Sequence, residues 1–170
     1  NTTKMILDSA SDYVEKVAAP LNKKGDKEGC TFDRSDKSVK TPTGFKQAYD
    51  TFKDLGMIGL NGSDEYGGMG LPNVLSAAIN EMMTGANMSL SMYPGLTTGA
   101  AKVLEEFASE DIKKTYLTKM YEGSWSGTMC LTEPGAGTDL GLVKSKATEN
   151  PDGSYNVSGM KIFISCGEQD

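Results

Sequence analysis

The chain has 170 residues, of which 38% are hydrophobic, and its formal net charge is −6. Its length allows one large or two small folded domains, and its acidic balance, without a clustered Lys/Arg face, argues against nucleic acid as the main partner. No apolar run approaches the roughly 20 residues that span a bilayer, and the N-terminus lacks a signal-peptide pattern, so we expect a cytoplasmic protein without a membrane span.

The absence of histidine narrows the possible chemistry. It excludes a Ser-His-Asp or Cys-His nucleophile and a His-based metal site within these residues, so catalysis would need carboxylates or a cofactor. Cys30, Cys130 and Cys166 lack metal-ligand spacing. We expect reduced thiols there, and no metal.

The first part of the chain has a helical pattern. Ile6, Leu7 and the apolar residues that follow predict a first helix. Thr2 or Thr3 can serve as its N-cap, and it ends before Pro20 or a few residues after it. Residues 22–40 are polar and contain glycine, which indicates a loop.

Four more helices are predicted before Gly123. The clearest has Thr41 as N-cap and Pro42 at its first helical position, and it ends at Gly56. The others are expected from Leu71-Pro72 through Met83, over 97–107, and from an N-cap at Ser109 to Tyr121. Short connections between these helices imply an all-α unit of antiparallel neighbours.

From Ser124 the pattern changes to short β-type runs, at 125–131, 142–148 and 154–165. The turn residues 150–153, Asn-Pro-Asp-Gly, should pair the last two runs as a hairpin. The sequence therefore predicts an α+β fold, with an N-terminal all-α domain at 1–123 and the beginning of an antiparallel β domain at 124–170. A sheet this small is marginal alone, so we expect the second domain to be incomplete.

The loop at the end of the first β-type run is the best candidate for a binding site. Residues 129–139 read Met-Cys-Leu-Thr-Glu-Pro-Gly-Ala-Gly-Thr-Asp. Its glycines either make a tight turn or let backbone amides approach a ligand. Gly135, Gly137 and Gly141 have the spacing G-x-G-x-x-x-G, which is one residue longer than the dinucleotide-binding fingerprint G-x-G-x-x-G. Residues 153–161 do not have the spacing of a P-loop.

Three motifs in order resemble the acyl-CoA dehydrogenase family. They are Leu131–Asp139 (LTEPGAGTD), Gly159–Ser165 (GMKIFIS) and, upstream, Tyr66–Leu71 (YGGMGL). The resemblance is closest to the subgroup that oxidises 3-methylmercaptopropionyl-CoA and similar thioesters. It implies FAD as cofactor, an acyl-CoA substrate and a trans-2-enoyl-CoA product. It also implies that the chain stops inside the middle domain, without the C-terminal helical domain, so that the glutamate base lies beyond Asp170 and no catalytic residue is present.

The resemblance also assigns site residues by position. Those expected to bind the cofactor are Met129, Leu131, Thr132, Gly137, Thr138, Phe163, Ile164 and Ser165. Those expected to contact substrate are Thr138, Met92, Tyr93 and Leu96. Phe163 and Ser165 stand where most members have Trp and Thr. Alternatively, Phe163 is a core residue and the two hydroxyl groups of Thr132 and Ser165 bond local backbone. Glu133 and Asp139 are expected to be loop acids in solvent.

Further partners also follow from the resemblance. The full-length parent should pass electrons to an acceptor such as electron-transfer flavoprotein and should be a homo-oligomer. Two alternatives stay open: a non-catalytic relative that binds flavin or acyl-CoA, and a helical interaction module without a ligand. A visible absorption spectrum distinguishes a flavoprotein from the last of these.

Overall fold

The computed structural model describes residues 2–170 and contains two compact units. The first comprises the chain up to Gly127 together with Glu168–Asp170, and the second comprises Thr128–Gly167. The assignment of residues 1–123 and 124–170 to an N-terminal and a middle domain stays a prediction. The helices of the first unit are α1 (Thr2–Tyr13), a π-helical segment (Val14–Ala18), α2 (Ala19–Glu28), α3 (Phe45–Asp54), α4 (Asn73–Ala86), α5 (Met88–Phe107) and α6 (Glu110–Tyr121).

The N-terminal helix is longer than predicted. It runs without a break through the π-helical segment and past Pro20 to Glu28. Proline lacks a backbone N–H, and the wider π turn just before it allows the helix to continue without that bond. The predicted loop at 22–40 is therefore wrong over residues 22–28, which are helical. The rest of it is a connection that contains a short antiparallel pair, β1 (Thr31–Phe32) with β2 (Val39–Lys40).

Helix α3 begins at Phe45 rather than at Pro42. The residue before it is Gly44, whose φ of +98° is left-handed, and no side chain caps the helix there. The predicted cap, Thr41, instead donates its backbone N–H and its hydroxyl to the Asp170 carboxylate, at 2.8 and 2.7 Å. Thr41 therefore lies outside the helix, directly after β2, and this agrees with the restriction that disfavours helical backbone before proline.

Helix α5 begins nine residues before the predicted Thr97 and contains Pro94 in its interior. Its N-cap is the fully buried Asn87, whose Oδ1 accepts a hydrogen bond from Leu90 N at 3.0 Å. The Asn87 amide also donates to Ala18 O at 3.0 Å. This tertiary contact, which no local pattern shows, fixes the start of the helix.

Helices α4 and α6 agree with the predictions. Helix α4 starts after Pro72. Helix α6 has Glu110 and Asp111 in its first turn, where the negative charge of carboxylates interacts favourably with the positive end of the helix dipole. Gly123, which follows α6, has a φ of +73°, a value typical of a helix end.

The core of the first unit lies where α1, α3, α4 and α5 meet. Tyr13 packs against Phe52, with ring centroids 5.3 Å apart, and donates its hydroxyl to Ala48 O at 2.9 Å. Ile58, Leu60 and Leu90 are almost fully buried. Each such aliphatic side chain contributes about 1.5–3 kcal/mol of transfer free energy, so this core accounts for much of the stability of the unit.

Gly68 in the Tyr66–Leu71 motif has a packing role. A Cβ on Gly68 would lie 2.3 Å from the backbone carbon and oxygen of Gly62. The Tyr66 hydroxyl donates to Glu110 Oε2 at 2.9 Å, which ties the loop to α6. The motif thus holds the loop between α3 and α4 in place.

The second unit contains one hairpin. Strands β3 (Lys146–Glu149) and β4 (Tyr155–Ser158) pair antiparallel, and Gly153 N bonds Asn150 O at 3.0 Å in the turn. This confirms the predicted hairpin. The predicted strand at 125–131 is wrong, and the third run forms a strand only at β4. A β-rich run needs neighbouring strands for its ladder, and few are available within residues 2–170.

Candidate functional site

Two motif segments lie side by side in the second unit. We call residues 129–133 the first motif segment and residues 161–165 the second. Ile162 N donates to Thr132 O at 2.9 Å, and Lys161 Nζ donates to Leu131 O at 2.9 Å. These bonds bring together residues that are predicted to bind the cofactor and are about thirty positions apart in the sequence.

The predicted cofactor-facing side chains are largely exposed. Phe163 is 86% exposed and Met129 is 65% exposed, while Leu131 and Ile164 are exposed to smaller extents. The alternative that Phe163 is a core residue is therefore wrong for this structure. Exposed apolar side chains on adjacent segments form the kind of surface that a flat aromatic ligand covers.

The backbone at Phe163 is strained. Its φ is +55°, in the left-handed region, and Cys166 has the same value. A residue with a Cβ costs roughly 1–2 kcal/mol there. Because exposed strain of this kind is concentrated at binding sites, the conformation supports a ligand against the Phe163 ring.

The glycine loop leaves open space. Glu133 and Ala136 close it with reciprocal backbone bonds of 3.0 and 3.1 Å. A Cβ at Gly135 or Gly137 would meet no atom within 4 Å, and neither residue has a positive φ. Packing and backbone conformation therefore do not require these glycines. They leave room for a ligand that approaches the main chain, and this fits the phosphate-bearing portion of FAD.

Glu133 corrects one prediction. It was expected in solvent, but only 6% of it is exposed. Its carboxylate accepts Lys144 N at 2.7 Å and Ser145 N at 2.9 Å, and it pairs with Lys161 Nζ at 2.8 Å. The bond from Lys161, followed by those from Ser145 and Lys144, lowers the pKa of Glu133 to about 2. Asp139 is exposed, as expected, and accepts Gly141 N at 3.0 Å.

Comparison with known proteins decides the family. The model of the family described as "Acyl-CoA dehydrogenase, N-terminal domain" matches residues 1–124. The chain belongs to the acyl-CoA dehydrogenase family. It is 44% identical over 164 residues to the 3-methylmercaptopropionyl-CoA dehydrogenase of Ruegeria pomeroyi, and the match covers 96% of this chain.

Solved acyl-CoA dehydrogenases have the same fold. The butyryl-CoA dehydrogenase of Megasphaera elsdenii superposes with a TM-score of 0.79 at 28% identity, over 97% of this chain and 41% of that one. An acyl-CoA dehydrogenase of Bacillus anthracis, solved with FAD, gives 0.75 at 27% identity, over 96% and 26% of the two chains. The match to the Ruegeria protein spans 28% of that protein, so the chain is much shorter than these relatives.

Three of the four residues predicted to contact the substrate, Met92, Tyr93 and Leu96, lie on α5, whereas Thr138 lies in the second unit. Tyr93 is partly buried and lines a cavity of about 380 Å³ in the first unit, beside Tyr49 and Lys53. Met92 is exposed and Leu96 half-buried, and neither lines this cavity. The structure therefore does not bring the three together in that cavity, and their role stays a prediction.

The sequence reasoning did not identify two residues that organise the site. Lys161 lies in the GMKIFIS motif, which assigns it no role, and the sequence predicts that Glu133 faces solvent. Their pairing spans 28 positions, and no local periodicity connects them. The only sequence signal is that each lies inside a motif. Among residues 2–170, no group of three or more His, Cys, Asp or Glu side chains is arranged to hold a metal, and no helix is long and apolar enough to cross a membrane.

Proposed function

We propose that this chain supplies the N-terminal helices and part of the flavin site of an FAD-dependent acyl-CoA dehydrogenase. The full-length parent converts an acyl-CoA thioester into the trans-2-enoyl-CoA. The observation that carries the proposal is the strained, 86% exposed Phe163 beside an open glycine loop. Family membership supports the same reaction.

The cofactor-binding residues divide by position. Met129, Leu131 and Thr132 would hold the isoalloxazine, to which Phe163 and Ile164 would offer apolar contact and Ser165 a hydroxyl group. When bound, FAD accepts the hydride from the substrate β-carbon. The remaining residues, Gly137 and Thr138, would hold the phosphate-bearing portion of FAD and the start of the CoA chain, since their small size allows close approach.

The base that removes the α-proton comes from outside these 170 residues. A general base works best with a pKa near the working pH. Glu133, with a pKa near 2 and three hydrogen-bond donors on its carboxylate, is unsuited to this role. Asp139 starts the short 3-10 helix Leu140–Leu142. We therefore assign no catalytic residue within this chain.

The remaining partners belong to the same proposal. Thr138, Met92, Tyr93 and Leu96 contact the acyl-CoA thioester, and an acceptor such as electron-transfer flavoprotein removes the electrons. The parent is cytoplasmic and homo-oligomeric. The name of the Ruegeria relative supports a short thioester as substrate, but acyl chain length is left to the experiment.

The test uses a protein that extends this chain to the length of its relatives. We expect a flavin spectrum after purification and enoyl-CoA formation when acyl-CoAs of several lengths are supplied with an electron acceptor. A flavin spectrum without turnover would favour a non-catalytic binding relative. A colourless protein that takes up no FAD would favour a helical interaction module.

A further inference from the structure

The second unit has almost no apolar core. Of the residues 128–167, all of them described, only Ala136 and Glu133 are buried. Every residue of β3 and β4 is exposed. Apolar burial therefore cannot fix the geometry of this unit, and polar contacts must do so.

Glu133 is the centre of these polar contacts. One carboxylate oxygen accepts Lys144 N, and the other accepts both Ser145 N and Lys161 Nζ. Lys144 and Ser145 lead directly into β3. The Glu133 side chain therefore joins the glycine loop to the start of the hairpin.

Lys161 adds the second motif segment to the same cluster. Its ammonium group bonds Glu133 Oε1 at 2.8 Å and Leu131 O at 2.9 Å, and its side chain is 23% exposed. The next residue, Ile162, bonds Thr132 O through its backbone. Lys161 thus holds the backbone of both motif segments at a fixed separation.

We propose that Glu133 and Lys161 are a positioning pair that sets the spacing between the two flavin-facing segments. This rests on the proposed function. Neither side chain is a catalytic residue, because both act through Leu131, Thr132 and Phe163. Removal of one partner leaves the other charge largely buried and unpaired. This destabilises the folded unit more than removal of both partners does. The two substitutions should therefore be non-additive.

The experiment measures FAD affinity in the full-length protein after removal of flavin. We expect Glu133→Gln and Lys161→Met each to weaken FAD binding about tenfold or more. The double variant should weaken it by less than the product of the two single-variant factors. Lys161→Arg should stay within about threefold of wild type, because Arg can donate to both acceptors. The matched controls are Lys146→Met and Glu149→Gln on the exposed strand β3, which should bind FAD normally.

The charge-swapped variant, Glu133→Lys with Lys161→Glu, keeps two opposite charges but removes the acceptor at position 133. It therefore distinguishes positioning of the two motif segments from attraction between the two charges alone. It should fail to restore binding, because the Lys144 and Ser145 amides need an acceptor at position 133 and lysine has none. The flavin absorption bands of any loaded variant report the ring environment independently of affinity. Amide exchange in α4 and α5 shows whether a variant is folded.

Each outcome is decisive. If the wild-type protein binds no FAD, the proposed function fails and this inference fails with it. If the wild-type protein binds FAD and the two single variants bind it as tightly as the β3 controls, the positioning pair is wrong and the proposed function stands. Rescue by the charge swap would also overturn the pair, because it would reduce the contact to non-directional attraction.

Discussion

Phe163 gives the most direct test of the flavin site at the scale of a residue. We expect Phe163→Ala to weaken FAD binding of the full-length protein about tenfold or more. Aromatic stacking contributes about 0.5–1.5 kcal/mol beyond the buried area, and tenfold corresponds to about 1.4 kcal/mol. Stability should not fall, since the ring is 86% exposed and its left-handed backbone is strained. Titration of deflavinated protein with FAD measures the change.

The control for Phe163 is Tyr155→Ala, which removes another exposed aromatic ring from the second unit. It should leave FAD affinity unchanged. Equal losses in the two variants would mean that the effect comes from the unit as a whole, and an unchanged affinity in Phe163→Ala would remove Phe163 from the site.

Glu133 gives a pH-dependent prediction. Its folded-state pKa of about 2 lies below the ordinary value of 4.5. A depressed carboxyl pKa contributes stability that is present above the unfolded pKa and lost as pH falls through the folded one. The stability that Glu133 contributes should therefore be complete above about pH 4.5 and decline as the pH falls towards 2, whereas the bonds to the Lys144 and Ser145 amides in the folded protein should break with a midpoint near pH 2.

The chemical shifts of those two amides report this titration in an NMR series. Because other carboxylates titrate in the same range, the informative quantity is the difference between wild type and Glu133→Gln, which cannot ionise. An identical acid transition of both amides in the two proteins would contradict the assignment.

Phe163 and Glu133 show why only part of the site was predictable. Phe163 was identified from its place in a motif, and its exposure and backbone strain agree with a ligand contact. Glu133 lies in a loop with proline and glycine, where an acid usually faces solvent. Its burial depends on Lys161 and two amides that fold back from later in the chain, and their arrival cannot be read from the residues around position 133.

At the scale of an element, the loop between α3 and α4 has a testable glycine. We expect Gly68→Ala to destabilise the protein by about 1–3 kcal/mol, because the new methyl group would lie 2.3 Å from Gly62 backbone, which cannot move aside as a side chain can. Gly85→Ala, inside α4 with no atom within 4 Å, should instead stabilise by about 0.5–1 kcal/mol. Denaturant unfolding measures both, and equal stabilities would contradict the packing role.

The glycine loop of the site should respond in the opposite manner. Gly137→Val adds bulk where no protein atom lies within 4 Å and φ is not positive. The free energy of unfolding should therefore change by no more than about 0.5 kcal/mol. FAD binding should nevertheless be lost, with Gly137→Ala intermediate. A valine variant that retains stoichiometric FAD would reduce the loop to an ordinary turn.

Element boundaries show a similar division between local and tertiary causes. The hairpin β3–β4 was predicted because its turn residues act locally, and so was α6, with its acidic first turn. The start of α5 was missed because Asn87 is held by the distant Ala18 carbonyl. The strand expected at 125–131 did not form because β propensity needs partner strands.

At the scale of the whole molecule, the two units differ in how they are stabilised. The first has a core of aromatic and aliphatic side chains, whereas the second has Ala136 as its one buried hydrophobic residue among the described positions 128–167. A two-stranded hairpin is marginal alone, and its free edges favour pairing with other chains. We therefore expect the second unit to exchange amide hydrogens much faster than the first.

The last prediction concerns the activity of the 170-residue chain itself. We expect it to show no dehydrogenase activity even when saturated with FAD, while its helices remain folded. The buried carboxylate of its candidate site, Glu133, has a pKa lowered to about 2 and accepts three hydrogen bonds, so it is unsuited to proton abstraction, and a general base contributes about 10²–10⁴ in rate. Phe163 and Met129, which we assign to the flavin site, are also largely exposed, so we expect much of the larger contribution of positioning to be lost as well. Enoyl-CoA formation from short and medium acyl-CoAs is measured with an electron acceptor, and the full-length protein serves as control. Turnover by the 170-residue chain at about 1 s⁻¹ or faster, which is ordinary for an enzyme, would show that the base lies within these residues and would refute its assignment elsewhere.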